Sequence, residues 1–128
     1  NKNSLLEKIK MIDPSLIILA GFLLKIPEQI IDYFPQKIVN IHPSLLPKYG
    51  GEGMYGDKVH ERVLKNRELI SGITVQFVDE FYDHGEIISQ KTFKIEDNDT
   101  IETVKNKVKR LEKKYFPIII ESILVKLW

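Results

Sequence analysis

Leu16-Ile17-Ile18-Leu19-Ala20-Gly21 and Lys37-Ile38-Val39-Asn40-Ile41-His42 are the two stretches that decide the fold. Each is a short, nearly continuous apolar run, and the first stops at a glycine. Such runs read as strands covered on both faces, as in a parallel sheet, because a strand with one wet face would alternate. Between them Pro27, with its fixed φ and dispensable amide, opens a helix that reaches about Phe34. Strand, helix and strand in this order predict a right-handed parallel crossover and hence an α/β fold.

Upstream, Ser4 is placed to cap a helix from Leu5, with Leu5, Ile9 and Ile12 as its apolar stripe and Asp13-Pro14 as its stop. Downstream, Pro43 to Gly56 holds two prolines and four glycines and reads as a long irregular loop. It follows directly on a strand, and carboxyl ends of strands are where open α/β sheets bind ligands. A helix from about Asp57 to Asn66 and a strand at Ile73 to Val78 come next. Phe81 to Glu86 connects to Ile87 to Ile95, whose second half alternates, so the last two strands are expected as antiparallel neighbours. Thr100 and Thr103 open a final helix in which Pro117 should mark a kink or break.

With 128 residues, 43% hydrophobic and 29% charged, the chain suits one soluble globular domain spanning 1–128. A formal charge of +1 supplies no electrostatic footprint for nucleic acid or an anionic membrane, so small molecules are the expected partners. Absence of cysteine removes disulfides, thiolate metal sites and cysteine nucleophiles together. Glu121 and Lys126 interrupt the most apolar stretch, Phe116 to Trp128, well short of the ~18 residues a membrane span needs. The first residues lack the pattern of a secretory signal, so the expected location is cytoplasmic. The chain opens on Asn1 rather than Met, which reads as a fragment.

Asn40 and His42 point to one side of their strand, because side chains alternate, and so present an amide and an imidazole together. Asp83, beside Tyr82, His84 and Gly85, is the third candidate. A neutral amide donor, an imidazole and a carboxylate suit acyl-type transfer, where an amine attacks a carbonyl and the developing oxyanion needs donors. The same residues also read as a turn former, a satisfied histidine and an Asx-turn residue, and pattern alone does not choose. His60 is expected on a helix surface, His84 in a solvated loop, and the lysines from Lys105 to Lys114 on a solvated helix face. The three histidines have no ligand-like spacing, so no metal is expected.

Asn40-Ile41-His42-Pro43-Ser44-Leu45-Leu46-Pro47-Lys48-Tyr49 closely resembles the strand-and-loop signature of the glycinamide ribonucleotide formyltransferases. Leu19-Ala20-Gly21-Phe22-Leu23 is similar to the strand before it, Gly72-Ile73-Thr74-Val75 to a later strand, and Asp79 to Gln90 to the family's acidic loop. The resemblance implies a Rossmann-like formyltransferase fold with a mainly parallel sheet. It also implies Asn40, His42 and Asp83 as the catalytic triad, with Asn40 hydrogen-bonding the formyl oxygen. The implied formyl donor is 10-formyltetrahydrofolate, held by Leu24, Lys25, Ile26, Asn40, Asp79 and Asp83, with backbone amides supplying much of the recognition. Glu112 matches a glutamate that contacts the ribose of the substrate, glycinamide ribonucleotide.

Two features depart from that family. Gly50 to Gly56 replaces a histidine-containing loop, and the family's first strand and glycine-rich phosphate loop would lie before Asn1, so the N-terminal βα units are expected to be missing. Related folate enzymes share the triad: formyltetrahydrofolate deformylase, methionyl-tRNA formyltransferase and sugar amine formyltransferases. Lys48-Tyr49-Gly50-Gly51 stands where the tRNA enzyme carries an Arg-Trp-Arg-Gly-like loop, which favours the ribonucleotide enzyme. A binding module without turnover is the reading from a different class. The sequence leaves the oligomeric state open, a homodimer included.

Overall fold

The computed structural model of the chain describes residues 2–20, 25–81 and 84–127. In chain order its elements are α1 (Lys2–Ile12), β1 (Ile17–Leu19), α2 (Glu28–Tyr33), β2 (Ile38–His42), α3 (Asp57–Lys65), β3 (Ile70–Phe77), β4 (Ile87–Lys94) and α4 (Ile101–Leu127). The strands form one sheet in the order β1-β2-β3-β4. Strands β1 and β2 are parallel, as expected, with α2 between them in the chain and Ile17 opposite Ile38. Both β2–β3 and β3–β4 are antiparallel, so the described sheet is mixed and parallel pairing is confined to β1–β2. The apolar run at Ile38 to Ile41 records burial, and burial carries no information on strand direction.

Alternation along β2 divides the core in two. Val39 and Val75 pack with Ile119 and Ile123 of α4, joined by Ile41, Tyr115 and Phe116. Ile38, one residue away and pointing oppositely, packs with Ile30 and Phe34, joined by Leu6 and Ile9 of α1, Ile26 and Val78. Each fully buried aliphatic side chain contributes roughly 1.5–3 kcal/mol. Helix α4 thus covers one face, while α1 and α2 cover the other. Asn40 and His42, in step with Ile38, belong to the second face.

Three local expectations are corrected. Helix α1 begins at Lys2, so Ser4 lies inside it and does not cap it. Its stop holds: Asp13 adopts a left-handed φ of 50° and its amide closes on the Ile9 carbonyl at 2.9 Å. Strand β1 is not buried on both faces, because Ile18 is 44% exposed where α4 lies mainly against β3 and β4. Of the kink or break expected at Pro117, the break is absent: α4 runs through it, and its Tyr115, Phe116, Ile119 and Ile120 pack on the core from both sides. That packing offsets the ~3 kcal/mol a mid-helix proline costs. The Lys105 to Lys114 face is also less solvated than expected, since Lys107 reaches Asp99 at 2.6 Å and Lys105 reaches Asp57 at 3.6 Å.

The start of α4 follows the expected chemistry. Thr103 N donates to Thr100 Oγ1 at 3.3 Å, and Thr100 N donates to Thr103 Oγ1 at 2.8 Å, a reciprocal cap. Asp99 accepts from Thr103 Oγ1 at 2.6 Å and from the Glu96 amide at 2.8 Å. Burial alone would raise its pKa, but the bonds from Lys107, Thr103 and the Glu96 amide, with the lysine charge, bring it down to about 2.

Candidate active site

Asn40 and His42 share one side of β2, opposite Gln76 and Thr74 of β3 in register. Asn40 is half-buried, whereas His42 is only 4% exposed. His42 Nε2 lies 2.7 Å from the carbonyl oxygen of Tyr49. A carbonyl only accepts, so Nε2 carries the proton, and in the neutral ring Nδ1 is the acceptor nitrogen. The signature loop therefore folds back to set the tautomer of the histidine that precedes it.

Side chains from distant strands hold that loop. Thr74 Oγ1 donates to the Ser44 carbonyl at 2.7 Å and accepts from the Leu46 amide at 3.0 Å. Gln90 Nε2 donates to the Leu46 carbonyl at 2.9 Å and to Thr74 Oγ1 at 3.0 Å. Ser44 Oγ donates to the Lys48 carbonyl at 2.8 Å. Sequence reading missed Thr74 and Gln90 as supports; the only signal was a polar residue inside each apolar strand. Gly72 is required here, because an added Cβ would collide with the Lys91 carbonyl and crowd Leu45.

The loop after β3 springs from beside the start of β2, since Phe77 pairs with Val39 and the Val78 amide donates to the Ile38 carbonyl at 2.8 Å. Asp79 organises it, accepting from the Phe81 amide at 2.8 Å and from His84 Nδ1 at 2.7 Å. His84 is thus exposed, as expected, but has a carboxylate partner. Gly85 lets the loop close, because a Cβ there would strike the Phe77 carbonyl. Lys25 Nζ sits 5.9 Å from the centroid of the exposed Phe81 ring, and Ile26 packs on the cluster that also holds Val78. The segment after β1 and the loop after β3 are therefore brought together. Leu24 and Asp83 lie outside the described residues.

Phe81 leaves an exposed aromatic face on the loop after β3, while Ile26 and Val78 pack on the core cluster beneath it. Among the described residues no group of three His, Asp or Glu side chains is assembled to hold a metal.

Two further residues differ from expectation in setting. His60 is not on the surface: it is 3% exposed on α3, and its Nδ1 has no hydrogen-bond partner. Burial pushes its pKa below the usual 6.5, a direction reinforced by Lys105 and His42 and opposed by Asp57. The signal was available, since His60 directly follows Val59 and stands three residues before Val63, which puts it on the buried stripe those two define. Glu112 is half-buried on α4, where burial raises its pKa against the opposing charge of Lys109. The later turns of its helix pack on the face of the sheet that carries Val39 and Val75.

A mixed α/β sheet that presents an amide and an imidazole on one face of one strand is a scaffold suited to group transfer. Residues 1–120 match the formyl transferase family, and the chain belongs to it. It is 38% identical over 121 residues to the chloroplastic phosphoribosylglycinamide formyltransferase of Arabidopsis thaliana, covering 94% of this chain and 41% of that protein. It is 36% identical to the phosphoribosylglycinamide formyltransferase of Bacillus subtilis over 123 residues, covering 96% of this chain and 60% of the relative. The chain thus spans about 40–60% of the length of these curated relatives. The crystal structure of phosphoribosylglycinamide formyltransferase from Bacillus halodurans superposes with a TM-score of 0.88 at 29% identity, over 99% of this chain and 63% of that one. The corresponding Coxiella burnetii structure gives 0.87 at 35% identity, over 98% and 56%.

Proposed function

We propose that the chain, residues 1–128, is the catalytic domain of an enzyme that transfers a formyl group from 10-formyltetrahydrofolate to the primary amine of glycinamide ribonucleotide, acting in the cytoplasm. The observation that carries this reading is the shared face of Asn40 and His42, with Nε2 of the histidine committed to the Tyr49 carbonyl. When bound, the folate supplies the electrophilic formyl carbon. Asn40 would donate from its carboxamide to the formyl oxygen as negative charge develops there. His42, through Nδ1, would take up the proton released by the attacking amine and as imidazolium add to stabilisation of the oxyanion. Asp83 would relay that proton, directly or through water, to N10 of the folate as the bond between N10 and the formyl carbon breaks, so that tetrahydrofolate leaves and the formylated amine remains. Lys25, Ile26 and the Asp79 loop, with Leu24, would seat the pterin, and Glu112 would meet the ribose. No metal takes part in this scheme.

Identity of 36–39% to proteins named phosphoribosylglycinamide formyltransferase supports the ribonucleotide as acceptor. The fold is also that of a formyltetrahydrofolate deformylase from Pseudomonas syringae, with a TM-score of 0.85 at 22% identity, so the acceptor needs its own test. Positioning the amine against the formyl carbon is worth several kcal/mol, on the order of 5 or more. Consumption of 10-formyltetrahydrofolate should therefore depend steeply on added glycinamide ribonucleotide and yield a formylated nucleotide. Formate released at the same rate with and without the ribonucleotide, with no formylated product, would reassign the chain as a deformylase.

A further inference from the structure

Gln76 of β3 stands directly opposite Asn40 of β2 in the antiparallel register, so the two side chains share the face that also carries His42 and Thr74. Side chains opposite each other in such a pair have Cβ atoms about 4.5–5.5 Å apart, which puts two carboxamides within mutual reach. Gln76 is 2% exposed, and its carbonyl oxygen Oε1 is shielded from solvent with no hydrogen-bond partner among the described residues. A buried acceptor without a donor is costly, and one so shielded can be served only by a group already packed against it.

The neighbouring donors are already spent. Thr74 gives its one hydroxyl proton to the Ser44 carbonyl. Gln90 Nε2 donates to the Leu46 carbonyl and to Thr74 Oγ1, which uses both of its protons. His42 commits Nε2–H to the Tyr49 carbonyl, and in the neutral ring Nδ1 carries no proton. Ile87, opposite Gln76 on β4, has none to offer. What remains is the half-buried carboxamide of Asn40, which carries two protons on one nitrogen and enters none of these bonds. Terminal amide torsions are broad, so a modest turn of the two groups brings Nδ2 onto Oε1.

We propose that Gln76 is a positioning residue for formyl transfer: Oε1 accepts one Nδ2 proton of Asn40 and so fixes which end of that carboxamide meets the formyl oxygen. With one N–H held by Gln76, the other is left for the oxyanion. The reversed amide would set Oδ1 against Oε1, two acceptors with no proton between them. The Tyr49 carbonyl selects the tautomer of His42 by the same logic. The positioning role rests on the formyl-transfer reading; the bond between the two side chains does not.

The test uses the full chain and Gln76→Met, an unbranched replacement that keeps the length and removes the acceptor. In protein isotope-labelled at asparagine nitrogen, the Nδ2 signals of Asn40 are assigned by their loss in Asn40→Ala. One of the two protons should be protected from exchange in the wild type and lose that protection in Gln76→Met. In Gln76→Met, kcat for transfer to glycinamide ribonucleotide should fall about 10-fold, short of the ~10²–10³-fold cost of deleting an oxyanion donor, with KM for either substrate little changed. Because Gln76 acts through Asn40, the double variant should be no slower than Asn40→Ala alone. The urea midpoint should stay near the wild-type value, since water can reach Asn40 in place of Gln76. Gln76→Leu is the second acceptor-free variant, used if Gln76→Met loses the fold. Asn40 signals indifferent to Gln76, a wild-type kcat in Gln76→Met, or losses that multiply in the double variant overturn the role. A wild type that makes no formylated nucleotide overturns the transfer reading and not the bond, which the amide signals judge without substrate.

Discussion

His42 and Tyr49 are joined by a 2.7 Å contact between ring Nε2 and a backbone carbonyl, across seven residues of an irregular loop. The carbonyl has no proton to give, so the loop decides which imidazole nitrogen carries the proton in the neutral ring. His42→Ala should lower turnover ~10²-fold or more with the fold retained, since proton transfer and oxyanion stabilisation are each worth that much. Asp83→Asn should do the same. Steady-state rates with both substrates saturating check this, and a wild-type rate in either variant would remove that residue from the mechanism.

Thr74 is the peg on which the signature loop hangs. Thr74→Val keeps the shape but leaves the Ser44 carbonyl and Leu46 amide without their buried partner. The loss should be about 2–3 kcal/mol, read as a lower urea midpoint. Turnover should fall too, because Leu46 and Tyr49 move together. An unchanged midpoint would mean that water replaces the hydroxyl.

The buried histidine predicts acid sensitivity. The folded pKa of His60 lies below 6.5, so its neutral form is favoured by folding. The stability it contributes is complete above the unfolded value and is lost as pH falls through the folded one. Denaturant melts at pH 7.5 and pH 5 should show a loss in the wild type that shrinks in His60→Met. At pH 7.5 the variant should lose little, because Nδ1 makes no hydrogen bond there to lose. Equal pH slopes in the two proteins would contradict this.

Glu112 should show the opposite sign and a trade against function. Burial holds its pKa above 4.5, so its ionised form weighs against folding at neutral pH. Glu112→Gln should be more stable than the wild type at pH 7, and the gap should close as pH falls through the raised folded pKa towards 4.5. The same variant should raise KM for the ribonucleotide if the carboxylate meets the ribose. A stabilised variant with unaltered KM would leave Glu112 with no substrate role.

Asp99 anchors the head of α4. Its pKa of about 2, against 3.8 unfolded, means its contribution is complete above 3.8 and lost only as pH falls through 2. Asp99→Asn should therefore lower the thermal midpoint at pH 7 through the loss of the Lys107 pair, and the gap between the two proteins should narrow in strong acid. A variant that melts like the wild type at pH 7 would show the pair to be energetically neutral.

Much of the architecture was legible because hydrophobic periodicity records local burial. The runs at Leu16 to Ala20 and Ile38 to Ile41, the punctuation at Pro27 and Asp13-Pro14, and the threonines before α4 locate the elements to within a few residues. Alternation on β2 alone placed Asn40 and His42 on one face. What the sequence could not settle depended on partners far along the chain. The direction of β3 against β2, the exposure of Ile18, the pegging of Ser44 and Leu46 by Thr74 and Gln90, and the burial of His60 are decided by which surfaces meet when the layers close. A residue's type and spacing state what it can bond or bury; only the packed structure, by bringing together groups thirty or forty positions apart, selects which of those bonds is made.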